Sequence, residues 1–366
     1  MSIRDESDQI AKAPSMSSHP PSREQSMMGA DPTVITETSR DIIRKLREQI
    51  PELQPTSPLY IRFDDVYLNR FVRARQYKLN DVITMVTNHI QWLREFNVAD
   101  IMEFRFEELD QFRTVYPHGY HGTDKFGRPI YIERYAKMNA DYLHKITTLD
   151  RIAKYWVRGY EMLLYQRFPA CRPGITQSTV ILDLAGVRLS TFDSRAREFL
   201  RLISKISSDN YPETLGAMFI VNVPSFFSLV YNVAKPFIPP ETKRKIHVIT
   251  AKNVKSELLK HIDPENLPSF LGGECICDAN SETDDRGCLC SDKGPWKSTM
   301  PDLHDKDEFV SCVDYGESRG SFAVDHFHTP MGTMNSLPSV REEKSHRKLS
   351  QKFGLFSCCR SPPRKH

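Results

Sequence analysis

The sequence predicts an α/β fold, with a helical N-terminal cap followed by a mostly parallel sheet. Three observations carry this. Four short apolar runs fall at residues 128–133, 178–184, 218–223 and 245–249. The first alternates, and the others are β-branched and nearly continuous, as strands covered on both faces require. Helical spacing lies between them: Ile152, Trp156, Gly159, Tyr160, Leu163 and Leu164 mark one helix, and Phe192, Ala196, Phe199, Leu200 and Ile203 the next. Strand–helix alternation of this kind argues a largely parallel sheet. Residues 40–110, by contrast, carry helical spacing alone.

Within that cap, Ile42, Ile43, Leu46 and Ile50 form one apolar face before Pro51, and a second helix runs from Tyr67 to Arg75. A third is expected to start at Asn80 as its N-cap and to bury Val82, Met85, Val86, Ile90 and Leu93. Thr123-Asp-Lys-Phe-Gly-Arg-Pro129 is a turn signal leading into the first strand. The segment before the last strand is unusual. Pro224 fits the first turn of a helix, Pro236 limits its length, and Phe226, Phe227, Leu229, Val230, Tyr231 and Val233 leave no clean polar face. Such a helix is either buried in a core or closes over an apolar space.

Composition bounds the rest. Residues 1–38 are rich in Ser, Met and Pro, and residues 301–366 hold few apolar runs. Both read as disordered, since neither can bury enough surface to offset chain entropy. The predicted organisation is therefore a cap over 39–110, an α/β domain over 111–275, a Cys-containing extension over 276–300 and a basic tail. The formal net charge is +3, which does not indicate a nucleic-acid binder. From Leu337 to His366, eight Lys/Arg stand against Glu342 and Glu343, a net +6 that leaves −3 for the remainder. No apolar signal core is visible near the N-terminus. The apolar stretch 219–238 is interrupted by Asn222, Pro224, Asn232, Lys235 and Pro236, which argues against a membrane span. A cytoplasmic protein is expected, and its eight cysteines then read as thiols or ligands rather than disulfides.

Six pieces fall in a telling order: Leu68-Asn-Arg-Phe-Val-Arg-Ala-Arg75, Thr123-Asp-Lys-Phe-Gly-Arg-Pro-Ile-Tyr131, Val180-Ile-Leu-Asp-Leu184, Asn210-Tyr-Pro-Glu213, the Phe-rich segment ending Lys235-Pro-Phe237, and Asn266-Leu-Pro-Ser-Phe-Leu-Gly-Gly273. In register they resemble the CRAL-TRIO lipid-binding family, and within it the Sec-fourteen type of phosphatidylinositol transfer protein. The resemblance runs from about residue 40 to Trp296. It implies a small helical domain before a sheet that floors a hydrophobic lipid cavity, with the Phe-rich helix as its gate and Phe226, Phe227 and Val230 facing the bilayer.

For the inositide headgroup the resemblance implies Arg75, Glu213, Thr242 and Lys245. Two cations would suit the phosphate, and Glu213 and Thr242 the ring hydroxyls. Read without it, Arg75 and Glu213 are an ion pair, and Lys245 belongs to a solvated charge run. For a choline phospholipid the family uses two tyrosines and two hydroxyls. Tyr120, Tyr131 and Ser178 match, whereas the second hydroxyl position holds Val180, and Gln76 stands where the family has lysine. Inositide binding is thus expected over choline-lipid binding. Read alone, Tyr120 and Tyr131 are ordinary aromatic packing beside strands.

Cys275-Ile-Cys277 and Cys288-Leu-Cys290 form two C-x-C units. Four thiolates can bind zinc, but this spacing is tighter than the usual C-x₂₋₄-C, so no metal is assigned. Cys358 and Cys359 lie among bulky apolar and basic residues, a setting for S-acylation. The motifs of nucleotide binding, serine hydrolysis and zinc proteolysis are absent from the sequence. The expectation is accordingly a lipid exchange protein rather than an enzyme, monomeric, without cofactor, and transiently peripheral on Golgi or other endomembranes. It would present phosphatidylinositol, with phosphatidylcholine as a second ligand, to membranes or lipid kinases. The competing reading is the same fold holding a retinoid, tocopherol or sterol.

Overall fold

A computed structural model describes residues 33–57, 62–135, 138, 140–188, 191, 194–228, 231, 240–277 and 286–298. The described residues open with helix α1, Glu37–Gln49, which begins two residues inside the segment read as disordered. The Thr36 side chain starts it by accepting the Ser39 amide at 3.1 Å. Helix α2, Asp65–Ala74, is capped in the same way by Asp64, which takes the Tyr67 amide at 2.6 Å. Helix α3 spans Leu79–Glu95 and begins earlier than expected. Asn80 is not its cap: the left-handed Gln76 and Tyr77 turn the chain, and Lys78 enters extended without a side-chain bond. Ile42, Leu46, Leu68, Phe71, Val82, Val86 and Ile90 form one core, joined by Val157, Ile206 and Tyr211 from the later part of the chain.

A buried polar network reinforces this joint. Arg62 holds both oxygens of Glu161 at 2.7 and 2.9 Å, and the Tyr211 hydroxyl donates to Glu161 Oε1 at 2.6 Å. His89 bonds the Tyr67 hydroxyl at 2.9 Å and Asn210 Oδ1 at 3.0 Å. Each of these six side chains thus has at least one polar partner, without which burial would be costly.

After helix α4, Leu109–Val115, come strands β1, His118–Thr123, and β2, Pro129–Arg134. Helices α5, Ala140–Ile146, and α6, Leu149–Met162, lead to β3, Ser178–Asp183. Helix α7, Ser194–Asn210, then leads to β4, Leu215–Val221, and helix α8, Pro240–Lys245, runs directly into β5, Ile246–Val248. Helices α9, Val254–His261, and α10, Arg286–Cys290, follow. The five strands lie in sequence order, with β1 antiparallel to β2 and the remaining pairs parallel. Strand β1 escapes the sequence patterns because His118-Gly-Tyr-His-Gly-Thr123 has no β-branched apolar residue, and its pairing supplies what its propensity lacks.

The turn before β2 is built as its sequence suggests. Asp124 accepts the amides of Phe126 and Arg128 at 2.9 Å each and pairs with the Arg128 guanidinium at 2.7 Å. One sheet face packs Ile130, Ile132, Ile181, Phe219 and Val221 against Leu258, Leu267, Leu271 and Leu289. The other faces Trp156, Phe199 and Leu200 on α6 and α7. The segment read as a separate extension joins both layers: Leu289 belongs to the first, and Trp296 is fully buried.

Candidate functional site

Strand register places Tyr120, Tyr131, Val180, Met218 and Ile246 side by side in one row across the helix-covered face. A central row of a covered sheet should be closed off, yet every member of this one is only half-buried. Burial also pushes the phenols of Tyr120 and Tyr131 above their ordinary range. These side chains thus keep accessible surface on a face that α6 and α7 cover.

At one edge of the row, the Tyr120 and Tyr131 rings lie 4.9 Å apart, and the Arg167 guanidinium sits 4.2 Å over the Tyr120 ring. Asp292 pairs with Arg167 at 3.0 Å, and Trp296 meets Tyr120 edge-on. Ser178 is buried, and its hydroxyl donates to the Thr214 carbonyl at 3.3 Å. The structure therefore brings the two tyrosines together and sets Val180 beside Tyr131, while the Ser178 hydroxyl is engaged by backbone. Sequence reasoning missed two neighbouring cations. Arg113 and Arg158 are electrostatically coupled to Tyr155, and each holds a buried Nε without a hydrogen-bond partner. No motif marks them; only the fold gathers them near the tyrosines.

The other predicted set lies toward the opposite edge, at the N-terminal ends of the parallel strands. This departs from the common placement of ligands beyond strand C-termini. Lys245, the last residue of α8, is buried and lies 3.3 Å from Glu213 Oε2, which Arg73 approaches at 3.8 Å. Glu213 has φ of +57°, a left-handed conformation unfavourable for a side chain with Cβ. It is held there by Arg70, which donates to the Glu213 carbonyl at 3.0 Å and to the Thr176 carbonyl at 2.8 Å. Thr242 sits one turn before Lys245 on the same helix, half-buried. Arg75 ends α2, and its Nη1 donates to the Ala74 carbonyl at 3.4 Å. From that helix, the ion partner of Glu213 is Arg73, a residue that sequence reasoning did not select.

Of the predicted gate, Phe226 is half-buried, and Phe227 is buried and stacks on Tyr231 at 5.8 Å. The Phe227 amide donates to the Pro224 carbonyl at 2.9 Å, and Phe227, Ser228 and Tyr231 are helical. Val230, Cys358 and Cys359 lie outside the described residues. Among the described residues, no helix is long and apolar enough to cross a membrane.

Comparison with known proteins agrees with this architecture. The profile of the CRAL/TRIO domain matches residues 113–273. The chain is 38% identical over 296 residues to the phosphatidylinositol/phosphatidylcholine transfer protein SFH12 of Arabidopsis thaliana, covering 79% of this chain and 53% of that one. It is 37% identical over 270 residues to the Sec14 cytosolic factor of Schizosaccharomyces pombe, covering 72% of this chain and 90% of that one. It thus spans about half the length of the plant relative and nearly all of the fission-yeast one. The crystal structure of Sfh5 superposes with a TM-score of 0.52 at 19% identity, over 69% of this chain and 96% of that one, a likeness of fold. The chain belongs to the CRAL-TRIO family, among its Sec-fourteen-like members.

Proposed function

We infer that this chain binds a single phosphatidylinositol inside the α/β domain and exchanges it between membranes, with phosphatidylcholine as a weaker second ligand. The observation that carries the reading is the accessible apolar row ending at two different polar clusters. Two acyl chains hold roughly thirty CH₂ groups, each worth about 0.8 kcal/mol out of water. Leaving a bilayer for solvent would cost on the order of 25 kcal/mol, so a carrier must offer an equivalent apolar volume and close it. Val180, Met218 and Ile246 floor such a volume, and Phe227 belongs to its closure.

Lys245 and Arg73 supply the cations for an inositol phosphate, with Thr242 and Glu213 for ring hydroxyls. A retinoid, tocopherol or sterol would leave this buried charge without a purpose. At the other edge, Tyr120 and Tyr131 offer π-faces to a quaternary ammonium, and Arg113 and Arg158 offer donors for its phosphate. Names of relatives that mention both lipids agree with two such sites. The function is binding, not reaction chemistry. Contact with membranes is peripheral and transient, and the basic tail concentrates the protein on anionic surfaces. The membranes served are those of the Golgi or other endomembranes, where the lipid is presented to lipid kinases.

Mass spectrometry of lipids co-purifying with the protein, paired with vesicle-to-vesicle transfer of labelled phosphatidylinositol, tests the reading. Enrichment and transfer of phosphatidylinositol are expected. Co-purification of a neutral isoprenoid or sterol alone would replace it with the competing one.

A further inference from the structure

On the sheet face opposite Tyr120, β1 carries Gly119 and His121. Helix α10 rests directly on that strand: a Cβ at Gly119 would meet the Leu289 carbonyl oxygen at 1.9 Å, so only glycine admits the helix backbone. This close approach brings Cys288 beside His121. A second strand-like segment arrives from the other side, where Cys275 is pinned by its amide to the Leu267 carbonyl at 3.1 Å and by its carbonyl to the Ser269 amide at 3.0 Å. Cys277 follows two residues later.

The ligand atoms of His121, Cys275, Cys277 and Cys288 all lie within 4.8 Å of one another. The Sγ atoms of Cys275 and Cys277 are 3.7 Å apart, and Cys277 Sγ is 3.9 Å from His121 Nδ1. A tetrahedral zinc site with Zn–S near 2.3 Å has sulfur–sulfur edges of about 3.8 Å and sulfur–nitrogen edges of about 3.6 Å. The two spacings between Cys275, Cys277 and His121 are close to these edges, and the remaining ones stay within 4.8 Å, so binding an ion draws the four ligand atoms inward. The sequence pattern suggested four thiolates, but Cys290 is exposed and outside the group. The fourth ligand comes from 154 residues before Cys275, on a strand that sequence patterns do not reveal.

The His121 nitrogen that faces Cys277 is Nδ1, which also lies 3.1 Å from the Cys288 carbonyl and 3.1 Å from the Ser291 hydroxyl and would exchange these contacts for the ion. One further feature favours a cation over mere thiol packing. Lys293 Nζ lies 3.3 Å from Cys275 Sγ. Three thiolates and a neutral imidazole around Zn²⁺ carry a net negative charge that this ammonium would offset.

We propose that Cys275, Cys277, Cys288 and His121 form a Cys₃His site for a structural Zn²⁺ that clips residues 275–277 and 286–296 onto strand β1. The segment matters to the interior. Beyond the clip, Asp292 holds Arg167, and Arg167 covers Tyr120. Zinc would thereby fix one wall of the space lined by the tyrosines, adding to the anchorage that Leu289 and Trp296 give the segment.

The full chain, purified under reducing conditions without chelator, should contain about one zinc per molecule by elemental mass spectrometry. A thiol-blocking mercurial should release it to a chromogenic chelator. Cys277→Ser and Cys288→Ser should each lose the bound metal, as should His121→Ala, while Cys290→Ser and Cys171→Ser keep it. Replacing zinc by Co²⁺ in the unmutated chain should give sulfur-to-cobalt charge transfer and the strong visible bands of a tetrahedral site, a readout independent of variant folding. Failure to take up stoichiometric zinc after reconstitution overturns the proposal. So does a full zinc load in His121→Ala, or an intact mass showing a disulfide among these cysteines in the freshly reduced chain.

Discussion

Lys245 Nζ lies 3.3 Å from Glu213 Oε2, and Arg73 reaches the same oxygen from the cap at 3.8 Å. One carboxylate thus joins a helix of the cap to the helix that opens β5, and it does so from a left-handed backbone position. Removing a buried cation leaves such a carboxylate under-compensated and costs several kcal/mol. Lys245→Ala should therefore lower phosphatidylinositol transfer at least about tenfold, with choline-lipid transfer as the internal control. The double variant Lys245→Met/Glu213→Gln separates two roles. If Lys245 is only a structural partner of Glu213, the double variant regains transfer; if it binds the headgroup, transfer stays low.

Val180 stands beside Tyr131 in the register and offers no hydroxyl there. Val180→Thr should raise phosphatidylcholine exchange about tenfold or more, since one charge-assisted hydrogen bond is worth roughly 1.5–3 kcal/mol. Phosphatidylinositol exchange should stay nearly constant. Equal choline-lipid exchange by both forms in a vesicle assay would show that the tyrosines and the neighbouring arginines suffice.

Phe227 is buried and stacked on Tyr231, so it must leave that packing for the helix to open. In bilayer its exposure costs little, and in water much. Phe227→Asp should abolish exchange at membranes and lower the melting temperature. Phe226→Asp, at a half-buried neighbour, should block exchange with less loss of stability. Intact transfer by Phe226→Asp would remove this segment from membrane contact.

Burial holds His89 at a pKa of about 3, well below its ordinary 6.5, with the Arg62 charge adding to the effect. The unfolded chain therefore takes up a proton here that the folded chain refuses. Stability is full above pH 6.5 and declines as pH falls toward 3, by about 1.4 kcal/mol per pH unit for this group. Denaturant unfolding across that range should show the slope, and His89→Gln, which keeps hydrogen-bonding capacity toward Tyr67 and Asn210, should flatten it. An unchanged slope would assign the acid sensitivity to other groups, His118 first, which burial also holds at about 3.

The basic tail lies outside the described residues, and the membrane role proposed for it rests on its charge. Truncation at Pro338 should reduce recovery on anionic vesicles at low salt, and the difference should vanish as salt shortens the Debye length. Exchange at high vesicle concentration should be unaffected. Equal recovery with and without the tail at low salt would leave it no membrane role.

The sequence alone determined the alternation of strands and helices, because β-branched runs such as 178–184 and spaced residues such as Ile152, Trp156 and Leu163 express local periodicity. It also carried Glu213 and Lys245 as candidates, through motifs that keep their residue types in order. Tertiary structure decided what periodicity cannot encode. Strand β1 exists because β2 pairs with it, despite a sequence of glycines and histidines. Arg73, which no motif singled out, meets Glu213 because the end of α2 sets it toward the α7–β4 loop. His121 joins three cysteines only because Gly119 lets α10 approach the strand. Each of these depends on contacts between segments far apart in the chain, and their geometry is settled by packing and backbone approach rather than by neighbouring residues.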